Sequence, residues 1–276
     1  MKSDPVSAGA LRAFREEIYG HFTRYGRDFP WRKTRDPYCI LVSEIMLQQT
    51  SVDRVVKKYA EFIAAFPDFH SLHKASLALV FGVWQGLGYN RRALALKRIA
   101  ETVVDEYGGR LPDSVEKLSQ LPGIGRATAS SIRVFAFNLP AVFIETNIRT
   151  VYIHRFFQTR SKIDDSEIAA LVEKTLDKKN PRKWYSALMD YGAMLKKIHP
   201  NPSRKSAHYK TQSPFEGSKR QIRGAILRHL LNNPGCGLRQ LTKEMKNNDG
   251  RLVREILKEL QKDGLIVDKR GRFLIA

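Results

Sequence analysis

The sequence predicts an all-α domain over residues 1–198, followed by a small α/β domain over residues 218–276. Three observations carry that prediction. Apolar residues recur at helical spacing through the first 198 positions, where almost nothing alternates with period two. Residues 199–217 (HPNPSRKSAHYKTQSPFEG) hold three prolines and many polar residues without periodicity, as a linker or a wrapping segment does. Beyond them come three helical patterns and then two strand-like runs around an Arg-Gly turn.

The first helix covers residues 10–25, with Leu11, Phe14, Ile18 and Phe22 spaced to share a face. A loop rich in proline and aromatics, FPWRKTRDPY, leads into CILVSEIMLQQTSVDRVVKKYAEFIAAF, which reads as two helices with a break between Gln48 and Ser51. Helices follow over residues 71–84, 91–107 and 114–120. The last is broken by Pro122 and Gly123; Gly125 is expected to take a positive φ before the next helix begins at Ala127. A short apolar stretch, residues 140–144, precedes a lone acid, Glu145, and a helix over residues 148–157. Residues 164–179 and 181–198 add two helices, with Asp164 or Asp165 as N-cap of the first and Pro181 in the first turn of the second. In the C-terminal part, helices over residues 218–231, 238–245 and 250–262 are followed by strands at 265–268 and 272–275, joined by Arg270 and Gly271.

With 42% hydrophobic residues the chain buries a real core, and a net charge of +20 calls for an anionic partner, nucleic acid first. A membrane surface fits less well, because no isolated basic amphipathic helix stands out. No 18-residue apolar run is present, and the start MKSDPVSAGALRAF lacks the apolar core of a signal peptide. Cys39 and Cys236 lie far apart, which argues against a disulfide framework and for a reducing intracellular compartment. Residues 203–276 carry 17 Lys/Arg against 7 Asp/Glu, ten net positive charges. A monomer is expected.

Between residues 116 and 130 the order is helix, tight glycine turn, helix. The backbone N–H groups of Gly123, Ile124 and Gly125, beside Arg126, would then suit a phosphate, since orphan donors and the helix dipole both favour an anion. Glu145 has a plain reading too, as an acid that complements the dipole of the helix it precedes.

Spelled LPGIGRATA, the turn resembles the helix-hairpin-helix of the DNA repair glycosylases, the HhH-GPD superfamily. Three further stretches, FPWRKTRDPYCILVSEIMLQQTSV, VWQGLGYNRRALALKRIA and MDYGAML, resemble its MutY-type mismatch adenine DNA glycosylases; together with the hairpin they span residues 29–195. The resemblance implies a base-excision-repair DNA glycosylase that flips a mismatched or damaged base from double-stranded DNA and hydrolyses its N-glycosidic bond. Its default substrate is adenine opposite 8-oxoguanine or guanine. Glu44 would protonate the departing base, Glu145 would be the sugar-side carboxylate, and Asn147 would orient water or the acid. Gln48 and Gln49 would enter the duplex, with Tyr89 and Asn90 among the DNA contacts. Gly123, Ile124, Gly125 and Arg126 would hold a phosphate, together with an alkali cation when DNA is bound. Trp31, Arg32, Tyr38 and Ala127 fall to the substrate pocket; core packing is the other reading of Trp31 and Tyr38.

The chemistry gives two carboxylates independent sense. Cleaving an N-glycosidic bond needs an acid for the leaving base and a negative group beside the cationic sugar, the division that paired carboxyls make in glycoside hydrolysis. Apolar neighbours Val42 and Ile45 favour the protonated form at Glu44, and donors at a helix start favour the carboxylate at Glu145. A base inside the stack is out of reach, so the nucleotide is flipped out and its flanking phosphates held.

Four departures from the family pattern matter. Glutamate replaces aspartate at 145, and one methylene displaces a carboxylate by roughly an ångström, enough to cost about 10²-fold unless the site is rebuilt. Ala127 stands where bifunctional members keep a Schiff-base lysine, so no AP-lyase activity is expected. Two cysteines cannot ligate the [4Fe–4S] cluster of many relatives, and His199 with His208 make no zinc site, so no cofactor and no metal beyond the hairpin's alkali cation are expected. The C-terminal part is smaller than the lesion-reading domain of enzymes acting opposite 8-oxoguanine, and Asn90 stands where they usually have a second tyrosine.

Three helices and a hairpin resemble a winged helix. There residues 249–262 would be the recognition helix, with Arg251 and Arg254 outward, and Lys269, Arg270 and Arg272 would tip the wing, against DNA or a protein. Two rival functions remain: a non-catalytic lesion-binding protein on a glycosylase scaffold, and a winged-helix transcriptional regulator.

Overall fold

A computed structural model describes residues 7–245 and 250–276. Fourteen helices and three short strands are named among them. In chain order the helices are α1 (Ala8–Tyr25), α2 (Pro37–Leu47), α3 (Val52–Ala65), α4 (Phe69–Lys74), α5 (Leu77–Trp84), α6 (Arg91–Tyr107) and α7 (Val115–Gln120). Then come α8 (Arg126–Phe137), α9 (Thr146–Phe156), α10 (Asp165–Thr175) and α11 (Pro181–Ile198). The C-terminal segment holds α12 (Lys219–Asn232), β1 (Cys236–Gly237), α13 (Leu238–Glu244), α14 (Gly250–Lys262), β2 (Ile266–Lys269) and β3 (Arg272–Ile275).

These elements form two compact units, each drawn from separate parts of the chain. Among the described residues the first comprises 7–40, 113–120 and 124–211, the second 41–112, 121–123, 212–245 and 250–276. Sequence boundaries at 198 and 217 do not coincide with them.

In the first unit α11 packs on α1 and α9. Phe14 of α1 meets Tyr152 and Phe156 of α9 and Trp184 of α11 edge-on, with ring centroids 5.2–5.9 Å apart. Residues 202–208 are more than a linker. A short 3-10 turn, Pro202–Lys205, packs on α9, and Ile163 exchanges backbone hydrogen bonds with Lys205 and Ala207.

In the second unit α4 and α5 pack on α6, and α3 packs on α5, with Phe62 against Phe66 and Trp84. The C-terminal segment belongs to this unit, where Asp263 binds both Arg91 of α6 and Arg223 of α12. Its sheet is antiparallel in the order β1-β3-β2. The β2–β3 turn places Arg270 at φ +57° and Gly271 at φ +79°, the type I′ geometry that matches strand twist.

Three expectations are corrected. Residues 71–84 are two helices, because the Ser76 hydroxyl accepts from the Leu79 N–H and starts α5 afresh. The helix expected to run to 179 stops at Thr175, and Asp177 instead accepts from the N–H groups of Lys179 and Asn180. Strand β1, two residues long, was not expected at all. Asp164 is the N-cap of α10, in a reciprocal capping box with Glu167.

Candidate active site and nucleic-acid interface

The hairpin is α7, a turn and α8. Leu121 and Ile124 are buried beneath it, while Gly123, Gly125 and Arg126 are exposed. The positive φ falls on Gly123 (+74°), where a side chain would also press within 2.9 Å of the Ala95 Cβ. Gly125 is extended instead (φ −86°) and is the N-cap of α8, so its expected left-handed backbone is corrected. Among the described residues, the N–H groups of Gly123, Ile124 and Gly125 meet no acceptor. Ala127 is exposed one position into α8.

Glu145 is the N-cap of α9. Its Oε1 accepts from the N–H groups of Asn147 (3.0 Å) and Ile148 (3.3 Å), and Oε2 from Asn147 Nδ2 (3.4 Å). The Asn147 Oδ1 is buried and accepts nothing among the described residues. Gly192 of α11 backs this turn: a Cβ there would lie 2.3 Å from the Asn147 carbonyl oxygen, so glycine alone lets α11 approach. One turn on, Lys196 is half-buried; burial holds its pKa below the usual lysine range despite the nearby negative charge of Glu145. Arg149, also close to Glu145, is engaged by Asp165 through two hydrogen bonds.

Also in the first unit, Arg32 binds Asp190 through two 2.8 Å hydrogen bonds, and Arg27 adds a side-chain and a backbone donor. Burial would raise the Asp190 pKa. The Arg32 hydrogen bonds, the Arg27 N–H, the Arg32 charge and the Arg27 side-chain hydrogen bond outweigh burial and hold it below the carboxylate range. Trp31 is buried and stacked on Phe29, and Tyr38 is buried at 2% exposure. Sequence reading missed Asp190, although it lies within MDYGAML.

In the second unit Glu44 is half-buried between the buried Ser43 and Ile45. Helix α2 ends at Leu47, and Gln49 then takes a left-handed backbone (φ +53°), as Tyr89 does in the GLGYN turn (φ +49°). One side chain holds both turns. The buried Arg92 donates to the carbonyls of Ile45, Met46, Gln48, Leu87 and Gly88 and to Thr50 Oγ1. It thereby closes the carbonyl end of α2 and grips the carbonyl before each left-handed residue. Burial pulls its pKa down to about 10. Sequence reading missed Arg92, although it lies within VWQGLGYNRRALALKRIA and on the buried stripe with Leu96, Ile99 and Val103.

Tyr89 is not bare: its hydroxyl accepts from Gln212 and Arg220, and the Arg220 guanidinium also lies 6.0 Å from its ring centroid. Asn90 is half-buried where α6 begins and its side chain caps nothing. Arg251, Arg254 and Arg270 are exposed; Asp249, in the expected recognition helix, lies outside the described residues.

Residues 42–178 match the HhH-GPD superfamily base excision DNA repair proteins. The chain is 36% identical to the adenine DNA glycosylase of Buchnera aphidicola subsp. Baizongia pistaciae over 181 residues, 64% of this chain and 50% of that protein. It is 32% identical to the thymine/uracil-DNA glycosylase of Methanothermobacter thermautotrophicus over 173 residues, 61% of this chain and 78% of that protein. The solved structure of a thermostable thymine-DNA glycosylase superposes with a TM-score of 0.60 at 28% identity, covering 67% of this chain and 86% of that one. This chain belongs to the HhH-GPD superfamily of base excision DNA repair proteins. It spans about half the length of the adenine DNA glycosylase relative named above.

Proposed function

We propose that this protein is a monofunctional DNA glycosylase of base excision repair, which flips a mismatched or damaged base from duplex DNA and hydrolyses its N-glycosidic bond. One observation carries the reading: the carboxylate of Glu145 is fixed at the start of α9 by three N–H donors, two of them from Asn147. A carboxylate so held suits the cationic sugar of the transition state, and Asn147 is assigned the orienting of water or of the acid. Glu44 is assigned the proton for the leaving base, Gln48 and Gln49 the entry into the duplex, and the hairpin N–H groups with Arg126 a DNA phosphate. Ala127 offers no amine for Schiff-base chemistry, which favours hydrolysis by water without AP-lyase activity.

Adenine opposite 8-oxoguanine or guanine is the first substrate to test, and thymine or uracil mismatches the second, following the two kinds of relative. The C-terminal segment is assigned the DNA-contacting role of a winged helix, through Arg251, Arg254 and Arg270. With Cys39 and Cys236 as the only cysteines, the chain does not supply the four thiolates of an iron–sulfur cluster, and no step is assigned to one.

The test is single-turnover base release from a duplex panel of adenine opposite 8-oxoguanine and guanine, with uracil, thymine and hypoxanthine mismatches. Release from one duplex, lost in Glu44→Gln and Glu145→Gln, is expected. Tight lesion binding across the panel without release would leave a non-catalytic lesion binder.

A further inference from the structure

The first unit contains a cavity of about 430 Å³ whose charge is unbalanced. Arg32, Arg35, Arg182 and Lys183 line it, and no carboxylate does. Arg32 is paired with Asp190, which leaves three positive charges without a counter-ion among the described residues. Among the described residues Arg35 and Lys183 make no ion pair, and the Lys183 ammonium lies 5.5 Å from the Tyr19 ring centroid. The Arg182 guanidinium is anchored by one nitrogen alone, Nη2, to the carbonyls of Trp31, Arg32 and Thr34. Its Nε and Nη1 meet no acceptor among the described residues. Burial lowers the Arg182 pKa, and the charge of Arg35 lowers it further, as like charges do when nothing between them is negative. Two amides complete the lining. Asn138 spends its Oδ1 on the Arg182 N–H, so its NH₂ remains to donate, and the Asn180 side chain makes no cap.

We propose that this cavity is a phosphate-binding site, distinct from the hairpin. A phosphate group offers the acceptors that a pre-anchored guanidinium, a second arginine, a lysine and two amides lack, and its charge removes the repulsion between them. The two sites occupy opposite ends of α8: the hairpin precedes Arg126, whereas Asn138 follows Phe137, roughly 18 Å away along the helix. The phosphate is either a phosphodiester of bound DNA or a free phosphate. The inference stands apart from the proposed catalytic roles, since it uses neither Glu44 nor Glu145.

Arg182 is left intact in the test because its carbonyl contacts support the fold. The full chain would be compared with Arg35→Gln/Lys183→Gln, and with Lys178→Gln as an exposed-lysine control. Thermal unfolding with inorganic phosphate, against chloride at equal ionic strength, reads free-phosphate binding. The salt dependence of duplex DNA binding reads phosphodiester contacts. A site for free phosphate gives saturable stabilisation, weakened about tenfold or more in the double variant and unchanged in the control. A site for DNA backbone lowers the slope of log K against log salt by about one in the double variant. A double variant that keeps both the phosphate response and the slope of the parent overturns the proposal.

Discussion

Replacing Arg92 with methionine is expected to loosen the two turns that carry Gln48, Gln49 and Tyr89. Three of the Arg92 hydrogen bonds, to Ile45, Met46 and Leu87, are fully buried. A buried carbonyl deprived of its donor costs about 1–3 kcal/mol, so their loss amounts to about 3–9 kcal/mol. Against that stands the relieved desolvation of the guanidinium, several kcal/mol. The expected net loss is about 3–5 kcal/mol, the range typical when one partner of a buried charged contact is removed. Urea unfolding measures the total, and amide hydrogen exchange locates it, with protection falling first at residues 45–50 and 87–92. Lysine should not rescue the variant, because an ammonium has three N–H donors for the six acceptors that Arg92 serves. A loss below about 1 kcal/mol, or exchange rising evenly along the chain, would refute this account of the turns.

Gly192→Ala is expected to displace the start of α9, since the Asn147 backbone that its Cβ meets cannot swing aside. Overpacking of this kind costs about 1–3 kcal/mol, and base release should fall more than global stability does; a variant matching the parent in both would remove Gly192 from the site. Asp190→Asn should lower stability at neutral pH. Because folding depresses the Asp190 pKa, its contribution is present above the unfolded value near 4 and fades as pH falls through the folded value. The parent should therefore lose stability in acid more steeply than the variant, and parallel acid-unfolding curves would contradict the pairing with Arg32. Glu145→Gln keeps an oxygen for the Asn147 and Ile148 N–H groups, so its stability should stay within about 1 kcal/mol of the parent, whereas Glu145→Ala should cost about 1 kcal/mol. If Glu145→Gln also released base at the parental rate, the residue would be a cap and nothing more.

Elements whose ends carry their own chemistry were legible in the sequence. Helix α11 starts with Pro181 at its first position, and α14 ends at Lys262 as its periodicity indicates. The break at Ala75–Ser76 was hidden because Leu72, Leu77, Val80, Phe81 and Trp84 continue one apolar pattern, and only a serine hydroxyl divides it. Arg92 and Asp190 were illegible for another reason. Each is a charged residue in a buried stripe, and what satisfies it lies elsewhere in the chain: up to 47 positions away for Arg92, and 158 and 163 for Asp190. Periodicity records which face is buried; it does not record which carbonyls and guanidinium groups meet there.

The same distinction bears on Glu145, whose two readings from sequence were a helix cap and a catalytic carboxylate. The hydrogen bonds that make it a cap also fix where its charge sits. Aspartate reaches the second and third N–H groups of a helix with a short side chain; Glu145 reaches the same two groups, those of Asn147 and Ile148, with a longer one. Part of the extra methylene is therefore spent in turning back toward the helix, and the carboxylate is displaced by less than an extended glutamate would carry it. Gly192 then has a reason to be glycine, since a bulkier residue would push away the turn that anchors those N–H groups. Structure at this turn and the chemistry proposed at the sugar thus draw on one set of contacts, which is why a variant that preserves the cap while removing the charge separates them.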